Sequence, residues 1–293
     1  MQKFAVVTTK SFGDFVIAHA ALHSVEAGAR DRVRLIACSH VRDLGAILPD
    51  DVRVTFLALR DERVPALFDI RKRGITRALE SALWLRRALG RLPREPGETL
   101  AFEGLGMRER LIAAHWSVVA MRRTRNIYET YARFLTDRRI PNREVKVPRS
   151  KGPARTVGVF PESRLAAKTL NAATVSTIVE EAARAGLEPR LFVLDGDLAA
   201  TPASVEVIRV PRNFQSLAQA IVSVDCMVSA DSLPAHLGEY LAKPVFVAAA
   251  YENEYWLPGG CYLDGRWGLF SDVEAFRMSL GTFLAESAAI RGA

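Results

Sequence analysis

Short apolar runs alternate with segments of helical period along almost the whole chain, and this alternation restricts the fold more than any other feature of the sequence. Residues 4–9 read as a buried strand, after which Phe15, Ala18, Leu22 and Val25 recur at helical spacing, with Gly28 as a stop. Residues 33–37, 52–57 and 99–103 predict further strands, and 65–94 has a helical, heavily basic pattern. Helices are expected through Trp116 and over 128–134. Strands that alternate with helices pair in parallel, because a parallel partner is reached only through a long crossover. Residues 138–155 contain three prolines and one glycine among basic residues and read as an interdomain linker. Beyond it the alternation resumes: strands at 155–161, 190–194, 205–210, 224–229 and 244–249, and a helical stripe of Val175, Ile178, Val179, Ala182 and Ala183 that ends at Gly186. Two strand–helix domains, residues 1–150 and 151–293, are the expected architecture, and a cleft between two such domains is a common place for a ligand.

With 293 residues, 49% of them hydrophobic and 25% charged, the chain can bury ordered cores, which excludes general disorder. No apolar run approaches the roughly 20 residues of a membrane helix; the longest candidate, 111–121, contains His115. Lys10 and Asp14 interrupt the apolar N-terminus, so a secretory signal is not expected. Cys38, Cys226 and Cys261 are odd in number and far apart, which disfavours a disulfide or zinc framework and suits reduced cytoplasmic thiols. The formal net charge of +7 favours acidic partners: phosphorylated small molecules, anionic membrane surfaces or nucleic acid.

Three segments could carry chemistry. Gly13-Asp14 stands at the junction of the first strand and first helix, where open α/β sheets place their ligands. A carboxylate there can act as a general base or simply cap the helix. The segment from Phe160 to Lys168 follows a strand and offers Ser163, Arg164 and Lys168 before a helix, a composition suited to phosphate and equally to a solvated basic loop. It lacks the glycines and the Gly-Lys-Ser/Thr ending of a Walker loop. In the third segment, residues 228–237, a strand ends, Asp231-Ser232 form the turn, and Pro234 stands where the first helical position is expected. His236 follows Asp231 by about one and a half helical turns, and is either a site residue or a core histidine. Gly104-Leu-Gly106 lacks the third glycine of a dinucleotide fingerprint. The basic belt of Arg71, Lys72, Arg73, Arg77, Arg86, Arg87, Arg91 and Arg94 is a solvated face, or a dock for an anionic lipid surface or a phosphorylated acceptor. It has no interleaved aromatic platform and no known nucleic-acid module, so nucleic acid is not the expected partner.

Taken in order, these segments resemble the family 9 glycosyltransferases, which include the heptosyltransferases of lipopolysaccharide core assembly. Ser11-Phe-Gly-Asp14 is similar to the family's N-terminal motif, and 125–131 to the helix before its linker. Residues 160–168 and 216–241 are similar to its donor-domain motifs, and Tyr255-Trp256-Leu-Pro258 to a late loop; the aromatic segment 251–267 around that loop either shapes the sugar pocket or packs at the domain junction. The resemblance implies an α/β fold of two Rossmann-like domains facing a cleft, the GT-B arrangement. The N-terminal half would bind the acceptor and the C-terminal half a nucleoside-diphosphate sugar, with an ADP-sugar favoured. It implies inverting transfer of a heptose or related sugar to a hydroxyl of an anionic glycolipid or oligosaccharide, without an obligatory metal or cofactor. Asp14 would be the base, with Lys10, Ser11 and Arg108 on the acceptor side. Ser163, Lys168 and the amides after Ser232 would hold the diphosphate, with Asp231 and His236 beside it or the sugar. Asp197, or Asp195, would meet the ribose and Gln215 the base.

The chain departs from the family pattern at four places. Leu233 stands for a glycine, Glu162 replaces the glycine of Pro-Gly and adds a negative charge at an anion site, Leu170-Asn171 replace a tryptophan segment, and Thr8 stands where a basic residue is common. Leu233 and Glu162 motivate a second reading, a catalytically inactive nucleotide-sugar- or glycan-binding protein on the same fold. The expected location is cytoplasmic, with room for peripheral contact at the inner face of the cytoplasmic membrane.

Overall fold

A computed structural model of the chain describes residues 2–9, 11–58, 70–143, 152–194 and 205–289. The chain divides into two compact units, Met1–Glu144 and Val145–Ala293. In the first, five strands, β1 (Lys3–Thr8), β2 (Val33–Cys38), β3 (Val54–Leu57), β4 (Glu98–Phe102) and β5 (Val118–Ala120), form one sheet in the order β3-β2-β1-β4-β5. Each of these strands pairs in parallel with its neighbours; Val6, for example, lies between Leu35 and Ala101. The intervening helices are α1 (Phe12–His23), α2 (Arg42–Gly45), α3 (Ile70–Gly90) and α4 (Met107–Ile112), with α5 (Ile127–Asp137) after the last strand.

The second unit repeats the plan. Strands β6 (Thr156–Phe160), β7 (Glu188–Leu194), β8 (Glu206–Val210), β9 (Cys226–Ala230), β10 (Val245–Ala249) and β11 (Trp267–Leu269) lie in the order β11-β10-β9-β6-β7-β8, again all parallel. The helices are α6 (Ala172–Arg184), α7 (Phe214–Val222), α8 (Leu233–Tyr240), α9 (Gly259–Leu263) and α10 (Val273–Ala289). Both orders are those of a doubly wound sheet, in which the chain starts at a central strand, builds outward on one side, then returns to build on the other.

The local causes are in the sequence. Strands covered on both faces read as unbroken apolar runs, and in β1 all residues from Phe4 to Thr8 are buried. Helices start on side-chain caps: Ser11, Asn126, Asn171 and Asn213 each accept an amide of the first turn. Gly186, at φ +74°, follows α6 in the left-handed conformation that ends a helix. The core of the second unit joins Val157, Val228 and Phe246 of the sheet to Ile178 of α6 and Phe283 of α10. In the first, Ala5, Ile36 and Leu100 meet Leu85 and Leu89 of α3 and Trp116.

Four expectations are corrected. Helix α1 ends at His23, and Gly28 lies instead in a 3-10 turn over Ala27–Arg32. The helix expected through Trp116 stops at Ile112, and β5 begins at Val118. Strands β5 and β11 were not expected; at three residues each they are too short to carry a period. Pro234 occupies the second position of α8, not the first, because Ser232 is the N-cap and Leu233 follows it. All three cysteines are buried and free, and among the described residues no helix is long and apolar enough to cross a membrane.

Candidate functional site

Doubly wound sheets open a crevice at the carboxyl ends of the two strands between which the winding reverses, since the loops after them diverge to opposite sides. In the second unit those strands are β6 and β9. The loop after β6 carries Ser163 and Lys168, and the turn after β9 carries Asp231 and Ser232. Lys168 Nζ donates to Asp231 Oδ2 at 2.5 Å, joining residues 63 positions apart. The pair is largely withdrawn from water, with 14% and 10% of the two side chains exposed. Burial alone would pull the Lys168 pKa down. The hydrogen bond and charge of Asp231, assisted by Tyr251, outweigh it and raise the value, so Lys168 is an ammonium.

The loops that hold this pair are tied to one another. Ser232 Oγ donates to the Glu162 carbonyl at 3.1 Å, linking the start of α8 to the loop after β6. Within that loop the Thr169 hydroxyl accepts from Ser163 N at 3.2 Å and donates to Ser163 O at 3.3 Å. Ser163 Oγ accepts the Leu165 amide at 3.4 Å. The Glu162 carboxylate, expected as an added negative charge at an anion site, accepts the Leu194 amide at the end of β7 at 2.6 Å. Below the loop the rings of Phe160 and Phe192 stack with centroids 4.8 Å apart. Helix α8 closes on β9 because residue 238 is glycine: a Cβ there would stand 2.2 Å from Met227 Sδ.

Tyr251 opens the late aromatic segment 251–267, which the sequence offered for the sugar pocket or for packing; it follows β10 and brings its ring centroid to 5.3 Å from Lys168 Nζ. Glu239 escaped the sequence reading. It lies on α8, and its carboxylate accepts from Gly260 N at 2.7 Å and Cys261 N at 3.3 Å in the first turn of α9. Burial pushes its pKa up to about 7, against those amides and the nearby Arg266, which lower it. A carboxyl group raised in the fold stabilises below its ordinary range of 4.5, and that contribution is lost as pH rises through about 7. The interval corresponds to roughly 3 kcal/mol. Glu239→Gln keeps an acceptor for Gly260 and removes the charge. Thermal unfolding at pH 5 and pH 8 should therefore show a smaller loss in the variant than in the parent chain; equal losses would remove Glu239 as the cause.

In the first unit the reversal lies between β1 and β4. Asp14, expected as either a base or the cap, is the third residue of α1, while Ser11 is the N-cap. Asp14 Oδ2 accepts from Ser11 N at 2.8 Å and from Ser11 Oγ at 2.9 Å. This capping box anchors the half-buried carboxylate at the carboxyl edge of β1 and involves only one of its oxygens. Arg108, in the first turn of α4 beyond β4, donates through Nε to Glu109 at 2.6 Å, and Glu109 accepts the Gly106 amide at 3.0 Å. Asp14 and Arg108 thus stand in the first turns of the two helices that follow the strands flanking the reversal.

Two of the remaining sequence candidates are placed on helices α8 and α7. His236 is buried in α8, 5% exposed. Gln215 is exposed on the first turn of α7, beyond edge strand β8 and two strands from β6. Lys10, Asp195 and Asp197 lie outside the described residues. Among the described residues no three His, Cys, Asp or Glu side chains gather as a metal site.

No family model matches the chain, and no curated protein matches it. Solved structures do. A family 9 glycosyl transferase from Veillonella parvula is similar at 12% identity over 98% of each chain, with a TM-score of 0.63. The E. coli heptosyltransferase WaaC with ADP is similar at 15% identity over 88% of this chain and 90% of that one, with a TM-score of 0.59. The E. coli ADP-heptose lipopolysaccharide heptosyltransferase II is similar at 14% identity over 98% of this chain and all of that one, with a TM-score of 0.53. The likeness shows the fold: this chain folds as these glycosyltransferases do.

Proposed function

We propose that the chain is an inverting glycosyltransferase of the family 9, heptosyltransferase-like kind. It moves a sugar from a nucleoside diphosphate, an ADP-sugar by preference, to a hydroxyl of a cell-envelope glycoconjugate such as lipopolysaccharide core. The observation that carries this reading is the meeting of Lys168 and Asp231 at the winding reversal of the second unit. The likeness to a heptosyltransferase with ADP supports the donor class. In the proposed step the Asp14 carboxylate takes the proton of the acceptor hydroxyl, whose oxygen attacks the anomeric carbon from the face opposite the leaving group. The bond from that carbon to the diphosphate oxygen breaks, and the configuration inverts. Charge then builds on the departing diphosphate. An ammonium held in a water-poor site, with the first amides of α8, meets that charge without reorganising. Lys168 spends N–H donors on Asp231 and on the Tyr251 side chain, which leaves one of its three for a phosphate oxygen. No metal or cofactor is needed for any of these roles, and the protein would work on the cytoplasmic side of the membrane.

A panel of ADP, UDP, GDP and CMP with their sugar conjugates, read by thermal shift, tests the reading. A ligand that binds only the folded state stabilises it by about 2.7 kcal/mol at a hundredfold excess over its Kd. A selective shift with ADP or an ADP-sugar is the expected result. No shift with any of them would remove the donor site. A non-catalytic nucleotide-sugar-binding protein is the second reading, favoured by Leu233, whose side chain occupies the first position of α8. Binding without detectable transfer to any acceptor would select it.

A further inference from the structure

Helix α3 presents two unlike faces. It is interrupted at Gly74, where φ is +79° and ψ 162°, and runs on from Ile75. One face, Ala78, Ala82, Leu85 and Leu89, is buried against the first unit. On the other, Ile75, Leu79 and Leu83 follow at intervals of four and form a single row, 70%, 53% and 47% exposed. Arg86 and Arg87 extend the row by one turn. Arg86 lies 3.3 Å from His115 Nε2.

The charge around this row is unusually one-sided. Residues 71–94 hold eight cations, Arg71, Lys72, Arg73, Arg77, Arg86, Arg87, Arg91 and Arg94, and one acid, Glu80. That difference equals the formal net charge of +7 of all 293 residues, so the rest of the chain balances to zero. One segment therefore carries both an aliphatic row open to solvent and the whole positive excess of the molecule.

We propose that this face of α3 docks on an anionic lipid bilayer, with Ile75, Leu79 and Leu83 entering the interface and Arg77, Arg86 and Arg87 meeting lipid phosphates. The bilayer is the partner that uses both features at once. Nucleic acid would engage the cations and leave the aliphatic row in water, and an ordinary apolar protein groove would leave the cations unmatched. A helix lying in the headgroup region takes up an apolar row and a basic flank together. Docking of this kind is independent of the transfer reaction. Each cation near an anionic surface adds about fivefold to binding, an effect that fades with salt.

Flotation of the full chain with vesicles of phosphatidylcholine, alone or with phosphatidylglycerol, tests it. Binding is expected to the anionic vesicles, to fall at least tenfold in high salt, and to be absent from phosphatidylcholine alone. The triple variant Ile75→Ser, Leu79→Ser, Leu83→Ser should bind anionic vesicles at least tenfold more weakly. Its thermal response to nucleoside diphosphates should be unchanged, because the substituted side chains are exposed and lie far from Lys168 in sequence. Vesicle binding equal in parent and variant would overturn the proposal. So would capture of RNA or DNA, or self-association abolished by the substitutions, with no binding to anionic vesicles. A parent chain that docks on vesicles and shows no nucleotide response would leave this proposal standing and remove the donor reading.

Discussion

Replacing Asp14 with asparagine is expected to lower sugar transfer by about a hundred- to ten-thousand-fold, the range over which a positioned general base contributes, while the affinity for nucleoside diphosphate stays near that of the parent chain. The choice of asparagine follows from the capping box. Ser11 N and Ser11 Oγ both donate to Asp14 Oδ2, and an amide oxygen in that position still accepts them. Asparagine therefore preserves the start of α1 and removes the basicity. Alanine would remove both, and a lost cap of this kind costs about 1 kcal/mol. Turnover measured at saturating donor separates the two effects. Transfer retained at the parent rate in Asp14→Asn would remove Asp14 as the base and leave it a purely structural residue of the first helix.

Replacing Lys168 with alanine is expected to weaken nucleoside diphosphate binding by about 10- to 150-fold, the equivalent of one hydrogen bond to a charged group. It should also destabilise the second unit. Asp231 is buried, and its carboxylate would lose the ammonium 2.5 Å away. Stranding one member of a buried pair costs about 3–5 kcal/mol, more than the intact pair contributes. The two consequences separate in the double variant Lys168→Ala, Asp231→Asn. With the stranded charge gone, thermal stability should recover while nucleotide binding stays weak. Recovery of binding along with stability would mean that Lys168 serves the fold and not the phosphate. Unchanged affinity in the single variant would refute the phosphate site outright.

The parts of this site differ in how openly the sequence announced them. Lys168 and Asp231 were each readable as residues just beyond a strand, and the order of the motifs suggested a common purpose. Their direct bond was not readable, since it depends on β6 and β9 being neighbours while β7 and β8 wind to the other side. Glu162 illustrates the opposite case. Its type suggested a negative charge at an anion site, yet its carboxylate receives the Leu194 amide, a partner supplied by an adjacent strand. Asp14 was expected to cap its helix or act as a base; Ser11 takes the cap and Asp14 reciprocates three residues on. Glu239 lies within the motif segment 216–241, yet nothing there marked it out, because a buried carboxylate is recognised only by what surrounds it, here the amides that open α9.

By itself the sequence determined the alternation of strands and helices, the Ser and Asn caps that start several of the helices, and the residue types at the carboxyl ends of the strands. These are properties of short stretches: a period of two or about 3.6 residues, a cap within three residues, a glycine whose φ is positive. Tertiary structure alone decided the strand order, the pairing of Lys168 with Asp231, the approach of Tyr251 and the burial of Glu239. The reason is that partner choice between parallel strands is set by the direction of each crossover and by packing across the sheet, and neither is encoded within the segment that carries the residue.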